Sequence, residues 1–308
     1  MKKAVIDIGT NSVKLIIGER SHGNAIKIIL DVNVITKLGE GMREDGRLSE
    51  AAMARTAQAV VKFADFARSQ GAEEIVCVGT MALRTAENAG DFIEKVSAAG
   101  GPEVRVLSGE EEAALSSRAV LNSLDGALRG EALIFDTGGG STEFVRAAGG
   151  EIERAFSVPV GAVTLTDENF KSSPSDPRLV CSVIAALTRK FSEAGVKPGA
   201  AMMIGAGGNV TAIASAAAGL DRYDPNVIHG SALTREEIMR QTALYAKCTD
   251  EERREIKGLS PKRADIILGG ACIILAAMEA AGAKEIVVSD RSLRHELLRK
   301  ELSTDTKI

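Results

Sequence analysis

The chain opens on a short apolar run, Ala4-Val5-Ile6, that ends at Asp7 and the turn residues Gly9-Thr10-Asn11-Ser12, and a second apolar run follows at 13–17. Short β-prone runs bounded by turn residues predict a strand, a tight turn and a second strand. Over 49–69 the period changes: Ala52, Ala59, Val60 and Phe63 form a stripe at helical spacing, with Ser49 placed to cap the N-terminus. The run 74–78 predicts a buried strand ending at Gly79-Thr80, a helix is expected over 81–88, and 104–107 predicts another short strand. Ser108 and Glu111 have the spacing of a capping box, so a helix is expected from Ser108 to about Leu124.

At Leu133-Ile134-Phe135 the opening pattern returns. Asp136-Thr137-Gly138-Gly139-Gly140-Ser141 repeats the Asp, the Gly two residues later and the Ser five residues later, displaced by 129 residues from the first copy. Repetition at this scale predicts two related lobes with equivalent turns facing each other across a cleft. Further on, a loop at 171–177 leads to an expected helix over 178–195, a strand at 201–204 that runs into Gly205-Ala206-Gly207-Gly208-Asn209, and a helix over 210–217. The end of the chain predicts a buried helix over 264–281, a strand at 285–288 and a charged helix over 293–302 with a narrow apolar face.

Composition narrows the function. A length of 308 residues suits two α/β domains, and 45% hydrophobic with 26% charged residues is ordinary for a folded chain. With no Trp and two Tyr, a surface that stacks bases has little to work with, which argues against nucleic acid as a partner. The net charge of −4 gives no global attraction to polyanions, so a phosphate-rich ligand needs local donors and metal. Cys77, Cys181, Cys248 and Cys272 are far apart and lack metal-ligand spacing, and they read as buried free thiols of a reducing compartment. The N-terminal residues read as a first strand, not a signal peptide, and the longest apolar run, 266–278, falls short of the ~20 residues of a membrane helix. A cytoplasmic protein without a membrane partner is expected.

Each turn is a candidate anion site. In the first, backbone N–H groups and the Thr10 and Ser12 hydroxyls can converge on an anion; in the second, three glycines with Ser141-Thr142 let the main chain approach a ligand. A plain glycine-rich hairpin accounts for either loop alone, but less well for a recurring pair. Asp7 and Asp136 end equivalent strands and are candidates to hold Mg²⁺ against phosphate; Glu143 adds a carboxylate beside the second loop. Glu110-Glu111-Glu112 opens a helix, where the macrodipole alone favours carboxylates, or supplies the group that activates water. Arg84 is a candidate to spread phosphoryl charge, or else forms a salt bridge. No P-loop is present, Gly205-Ala206-Gly207-Gly208 lacks the third glycine of a dinucleotide fingerprint, and His22, His229 and His295 form no cluster, with His229-Gly230 read as a structural turn.

Taken in order, Ala4-Val5-Ile6-Asp7-Ile8-Gly9-Thr10-Asn11-Ser12, Ala82-Leu83-Arg84, Ser108-Gly109-Glu110-Glu111-Glu112-Ala113, Asp136-Thr137-Gly138-Gly139-Gly140-Ser141-Thr142-Glu143 and Gly205-Ala206-Gly207-Gly208 resemble the exopolyphosphatase and guanosine pentaphosphate phosphohydrolase family. Val160-Gly161-Ala162-Val163, His229-Gly230 and Ser260-Pro261-Lys262-Arg263-Ala264-Asp265 extend the resemblance along nearly the whole chain. It implies an α/β, duplicated ribonuclease-H-like fold of the actin-like superfamily, with lobes at 1–125, joined by the C-terminal helix 293–308, and at 126–292. Mg²⁺, with Mn²⁺ as the alternative, is implied in the interlobe cleft. Glu112 is the implied general base with Glu111 and Arg84 as catalytic neighbours. Asp136, Glu143 and Asp7 are the implied metal positions. Thr10, Asn11, Ser12, Gly138, Gly139, Gly140, Ser141, Thr142, Gly207 and Gly208 are the implied phosphate contacts, joined by Arg84. The implied substrate is polyphosphate or a guanosine polyphosphate nucleotide, its terminal phosphorus attacked in line by water, and a homodimer is expected.

Two departures stand out. The acidic run usually continues with Arg where Ala114 stands, and the late Gly-Leu-Arg-Glu-Gly pattern appears as Ser292-Leu293-Arg294-His295-Glu296. Both are expected to remove a basic or flexible contact to a long substrate. Longer family members continue into a helical region with a His-Asp signature, so this short form is expected to prefer shorter polyphosphates or the nucleotide, or to bind with little turnover. The rival readings are a noncatalytic sensor of the same ligands and an ATP-dependent kinase of the superfamily. Arg253, Arg254, Lys257, Lys262, Arg263, Arg291 and Arg294 line a path for a polyanion or form a solvated helix surface.

Overall fold

The computed structural model describes residues 1–21, 26–42, 46–123 and 130–303. By internal contacts the chain forms two units, Met1–Ser116 with Leu293–Ile308, and Ser117–Ser292. The boundary expected at 125/126 and the expectation for His22 lie outside the described residues, as does the 304–308 end of the expected C-terminal helix.

The first unit is built on five strands, β1 (Lys2–Ile8), β2 (Ser12–Arg20), β3 (Ile26–Ile35), β4 (Ala72–Gly79) and β5 (Val104–Val106), in the order β3-β2-β1-β4-β5. β1, β2 and β3 pair antiparallel, while β4 lies parallel to β1 and β5 parallel to β4. The second unit holds β6 (Glu131–Thr137), β7 (Thr142–Ala148), β8 (Glu151–Val158), β9 (Met202–Ala206), β10 (Ala232–Thr234) and β11 (Glu285–Ser289), in the order β10-β11-β9-β6-β7-β8. Read from β8, the run β8-β7-β6-β9-β11 repeats the order and the strand directions of the first sheet. The sequence repeat is therefore a topological one, and the fold is a duplicated ribonuclease-H-like fold.

Alternation sorts the first sheet's side chains. Ala4, Ile6 and Ile8 enter one core with Leu15, Val60 and Phe92, while Val5 and Ile16 enter a second core with Leu293, Leu297, Leu298 and Leu302 of the helix Leu293–Ser303. Each such leucine contributes about 1.5–3 kcal/mol by leaving water. The helix Glu50–Ser69 starts as expected, Ser49 Oγ accepting from Ala52 N at 3.2 Å. Its buried stripe runs through Ala52, Thr56, Val60, Ala64 and Ala67, while Ala59 and Phe63 stay half-buried. Small residues face inward because the helix lies close against the sheet. In the second unit the helix Ile267–Ala281 is buried almost all round, and a Cβ on Gly269 would lie 3.0 Å from Ala162 O.

All four cysteines are free, but only Cys77 and Cys272 are buried; Cys181 is exposed and Cys248 half-buried. Burial pushes the Cys77 thiol, aided by the charge of Asp7, and the Cys272 thiol up to about 12. Among the described residues no helix is long and apolar enough to cross a membrane.

The altered C-terminal pattern has a structural job. Arg294 donates from Nε and Nη2 to both oxygens of Asp31 on β3, at 2.9 and 2.8 Å, and His295 Nε2 lies 3.2 Å from the same carboxylate. Burial alone would raise the Asp31 carboxyl, but His295 and the Arg294 charge outweigh it and hold the group well below the ordinary range. A depressed folded-state carboxyl contributes stability above its unfolded pKa and loses it as pH falls through the folded value. The melting temperature is thus expected to decline below about pH 4. Asp31→Asn should melt lower at pH 7 and show a flatter acid decline; identical acid profiles for the two proteins would contradict this.

Candidate active site

In the second unit, β6 and β7 meet in a tight turn at 138–141, where Gly138 N donates to Ser141 O at 2.9 Å. The loop's carbonyls are tied down from below. Ala162 N donates to Gly138 O at 3.0 Å, and Val163 N and Thr164 N donate to Gly139 O at 2.8 and 3.2 Å. With those carbonyls committed, the loop offers donors to an anion. Gly161 makes this approach feasible, since a Cβ there would stand 2.2 Å from Gly140 N. Thr142, expected as a phosphate contact, is instead fully buried and donates its hydroxyl to Val160 O at 2.7 Å, which fixes the loop's far end.

Asp136 and Glu143 face each other in the β6–β7 register, and Glu143 is buried, accepting at Oε1 from Ser157 Oγ at 2.8 Å. Gly207 has φ +96°, and a Cβ there would lie 2.6 Å from Asp136 Oδ1 and 2.5 Å from Thr137 O, so only glycine fits beside this carboxylate. Gly208 opens the helix Gly208–Ala217 directly against the guanidinium of Arg263, whose Nη2 would be 2.0 Å from an added Cβ. Arg263 thereby brings a cation to this loop.

The first unit repeats the turn. Gly9 N donates to Ser12 O at 3.0 Å, and the carbonyls of Thr10 and Asn11 accept from Gly39 N at 2.9 Å and from Thr36 N and Lys37 N at 3.0 and 2.9 Å. Asn11 is buried, and neither its Oδ1 nor its Nδ2 has a protein partner. Here the copies diverge. Opposite Asp7, in the register that Glu143 holds opposite Asp136, stands Lys14, whose Nζ donates to Asp7 Oδ2 at 2.9 Å. Asp7, expected among the metal ligands, is therefore largely neutralised by an ammonium and keeps only Oδ1 without a partner.

The acidic run separates into distinct roles. Ser108 and Glu111 form the reciprocal cap, Ser108 N donating to Glu111 Oε2 at 2.9 Å and Glu111 N to Ser108 Oγ at 3.1 Å. The Ser108 N–H, with Arg105 beside it, holds the Glu111 carboxyl below its ordinary value. Glu111, expected as a catalytic neighbour, is thus an exposed capping residue. Glu112 turns inward and is buried, with Arg84 Nη1 donating to its Oε2 at 3.0 Å and to Leu107 O at 3.0 Å. That contact makes Arg84 the residue that orients Glu112.

Residues 15–305 match the sequence profile of the Ppx/GppA phosphatase family. The chain belongs to this family. It is 30% identical over 306 residues to exopolyphosphatase 2 of Mycobacterium tuberculosis, covering 94% of this chain and 95% of that one. It is also 32% identical over 300 residues to the bifunctional 3-dehydroquinate synthase/phosphatase of Fusobacterium nucleatum; this covers 94% of the chain and 45% of that longer protein. The crystal structure of the Aquifex aeolicus Ppx/GppA family member superposes with a TM-score of 0.83 at 32% identity, over 100% of this chain and 99% of that one. As a Ppx/GppA protein, the chain is an enzyme of the phosphoanhydride hydrolase class.

Several basic residues expected along a polyanion path do other work in this Ppx/GppA chain. Arg253 is buried, donating to Tyr245 O at 2.7 Å and Asp250 at 2.9 Å, Lys257 pairs with Asp221 at 3.2 Å and Arg254 with Glu251 at 3.5 Å, and Arg294 holds Asp31. His229 sits in a structural turn as expected, its Nδ1 accepting from Asp290 N at 3.3 Å. Lys14, Ser157 and Gly161 carry parts of the site that motif reading assigned no role of their own, and Arg263, expected along a polyanion path, stands against Gly208. Lys14 and Ser157 were findable in principle only from the strand register.

Proposed function

We propose that this Ppx/GppA protein releases terminal orthophosphate from inorganic polyphosphate, with Glu112 as the general base that takes the proton of the attacking water. The carrying observation is the Asp136–Glu143 pair beside a loop whose carbonyls are hydrogen-bonded away, which is a site for phosphate and a hard cation together. The donor set fits Mg²⁺, or Mn²⁺ in its place. Both donors are oxygen, Glu143 is aimed by Ser157, and among the described residues no group of three or more metal-binding side chains exists. An ion held by one or two carboxylates that keeps its remaining positions for water and phosphate is the usual habit of Mg²⁺. When bound, it would supply charge that offsets the phosphate oxygens.

The protein's own groups account for the rest of the reading. The loop amides at 138–141 and at 9–12 bind phosphate oxygens, Arg84 orients Glu112, and Arg263 adds positive charge near Gly208. Phosphoryl transfer demands positioning and charge stabilisation more than covalent chemistry, and this inventory supplies both. Guanosine pentaphosphate ends in the same phosphoanhydride bond and is the second substrate proposed. Phosphate release with Mg²⁺ should be measured from long-chain polyphosphate and from guanosine pentaphosphate in parallel. Release from polyphosphate is the expected result. Binding of either ligand without release would replace this reading with a sensor, and ATP-dependent transfer to a small-molecule acceptor would replace it with a kinase.

A further inference from the structure

Asn209 is the second residue of the helix Gly208–Ala217, whose N-cap Gly207 lies against Asp136. Its side chain is buried: Nδ2 donates to Thr137 O at 3.5 Å, a long bond, and Oδ1 has no protein partner. Thr137 is equally buried, and its hydroxyl has no partner either. Polar atoms left in this state are unfavourable, and an alanine at 209 would avoid part of the cost. The helix Ile267–Ala281 is nevertheless shaped around the amide. Gly270 lies so close that an added Cβ would stand 2.8 Å from Asn209 Cβ and Cγ and 3.0 Å from Oδ1. Glycine weakens a helix interior relative to alanine, so helix stability is given up to seat this side chain.

What the amide holds is the end of β6. The β6–β9 ladder stops at Asp136↔Ala206, because the chain beyond Ala206 turns at Gly207 into its helix. One residue past that stop, Thr137 N and Thr137 O both face Gly207, where an added Cβ would lie 3.1 and 2.5 Å from them. Asn209 Nδ2 reaches the same carbonyl from the first turn of the helix. The amide therefore continues the tie that the ladder drops, at the peptide that joins Thr137 to the glycine loop and directly beside Asp136. Groups that fix a metal-binding side chain from behind govern metal affinity although they never touch the ion.

We infer that Asn209 is a positioning residue for Asp136, its buried amide anchoring the strand end that carries this carboxylate. This rests on the proposed reading of Asp136 as a metal ligand. Ser157 aims Glu143 by a hydrogen bond to the carboxylate itself, whereas Asn209 acts on Asp136 through the backbone. The two carboxylates that face each other in the β6–β7 register are thus set by separate elements.

The test measures Mn²⁺ affinity by electron paramagnetic resonance, without substrate, together with melting temperature, for the parent, Asn209→Ala, Gly270→Ala and the double variant. Asn209→Ala removes one long bond and one unpaired acceptor, so its melting temperature should stay close to that of the parent. Its Mn²⁺ affinity should nevertheless fall about 10- to 100-fold. Gly270→Ala keeps Asn209 but forces its amide aside, and should weaken Mn²⁺ binding in the same range. The double variant should bind within about threefold of the weaker single variant, since both changes act through one amide. Asn209→Ser, too short for a contact already 3.5 Å long, carries the same expectation should Asn209→Ala not fold. Mn²⁺ affinity within about twofold of the parent in these Asn209 variants would overturn the inference and leave Asn209 a packing residue. Asp136→Asn separates the two readings. Loss of Mn²⁺ binding there with none in the Asn209 variants overturns the inference alone, and no loss there overturns the metal reading and the inference with it.

Discussion

Glu112→Gln should reduce phosphate release by roughly 10²- to 10⁴-fold, the usual worth of a positioned general base, and should also lower the melting temperature, because the Arg84 guanidinium loses the charge of its carboxylate partner. The substitution keeps size and an acceptor oxygen, so Arg84 Nη1 retains its partner at this position, and the backbone bond from Glu112 N to Ser108 O is untouched. What disappears is the capacity to accept a proton. Glu111→Gln is the matched control one residue away, because Glu111 is exposed and bonded to Ser108 N and Arg105. That change should lower stability by about 0.5–1 kcal/mol through the weakened cap and leave the rate near that of the parent. A Glu112→Gln enzyme retaining a third or more of the parental rate would remove Glu112 from the role of base.

The contrast between these neighbours shows how far the sequence could be read. The duplicated fold was legible because strand, turn and Asp recur with the same internal spacing, and local patterns of that kind survive in one dimension. The capping box at Ser108 was also visible, since its two members lie three residues apart. Which glutamate of the run turns inward was not readable from helical pattern alone, because the helix end favours all three alike. The resemblance pointed to Glu112, and the Arg84 contact, 28 residues away in sequence, supplies the physical reason.

Elements without a clean period escaped. β3 exposes Ile28, Ile29 and Val32 on an edge, so its alternation is blurred, and β8 begins Glu151-Ile152-Glu153-Arg154 with little apolar signal. The helix Arg235–Lys247 is polar on average, and only its tertiary neighbours define the buried side, whereas Ala89–Ala98 does carry a helical pattern, with Phe92 and Val96 buried four residues apart. The same limit applied to Lys14. On sequence it is a charged residue in an apolar strand; only pairing β1 with β2 places it against Asp7. The departures at Ser292–Glu296 looked like lost substrate contacts, yet Arg294 and His295 tie a helix to β3 through Asp31.

That register carries the second large effect. Glu143→Gln and Asp136→Asn should each weaken Mg²⁺ dependence by more than the 10- to 100-fold typical of changes to groups that merely orient a metal ligand. The readouts are the Mg²⁺ concentration for half-maximal phosphate release and, independently of turnover, the affinity for Mn²⁺ followed by electron paramagnetic resonance. Ser157→Ala should fall within that 10- to 100-fold range, because it leaves the carboxylate in place but removes the 2.8 Å hydrogen bond that aims it. Asp7→Asn behaves differently if the copies have diverged as the structure shows. It strands the Lys14 ammonium, half-buried beside a neutral amide, so it should lower the melting temperature clearly while moving Mn²⁺ affinity little. Were Asp7→Asn to abolish Mn²⁺ binding as fully as Asp136→Asn, Asp7 would be a metal position after all, and Lys14 would have to be displaced from it when the ion binds.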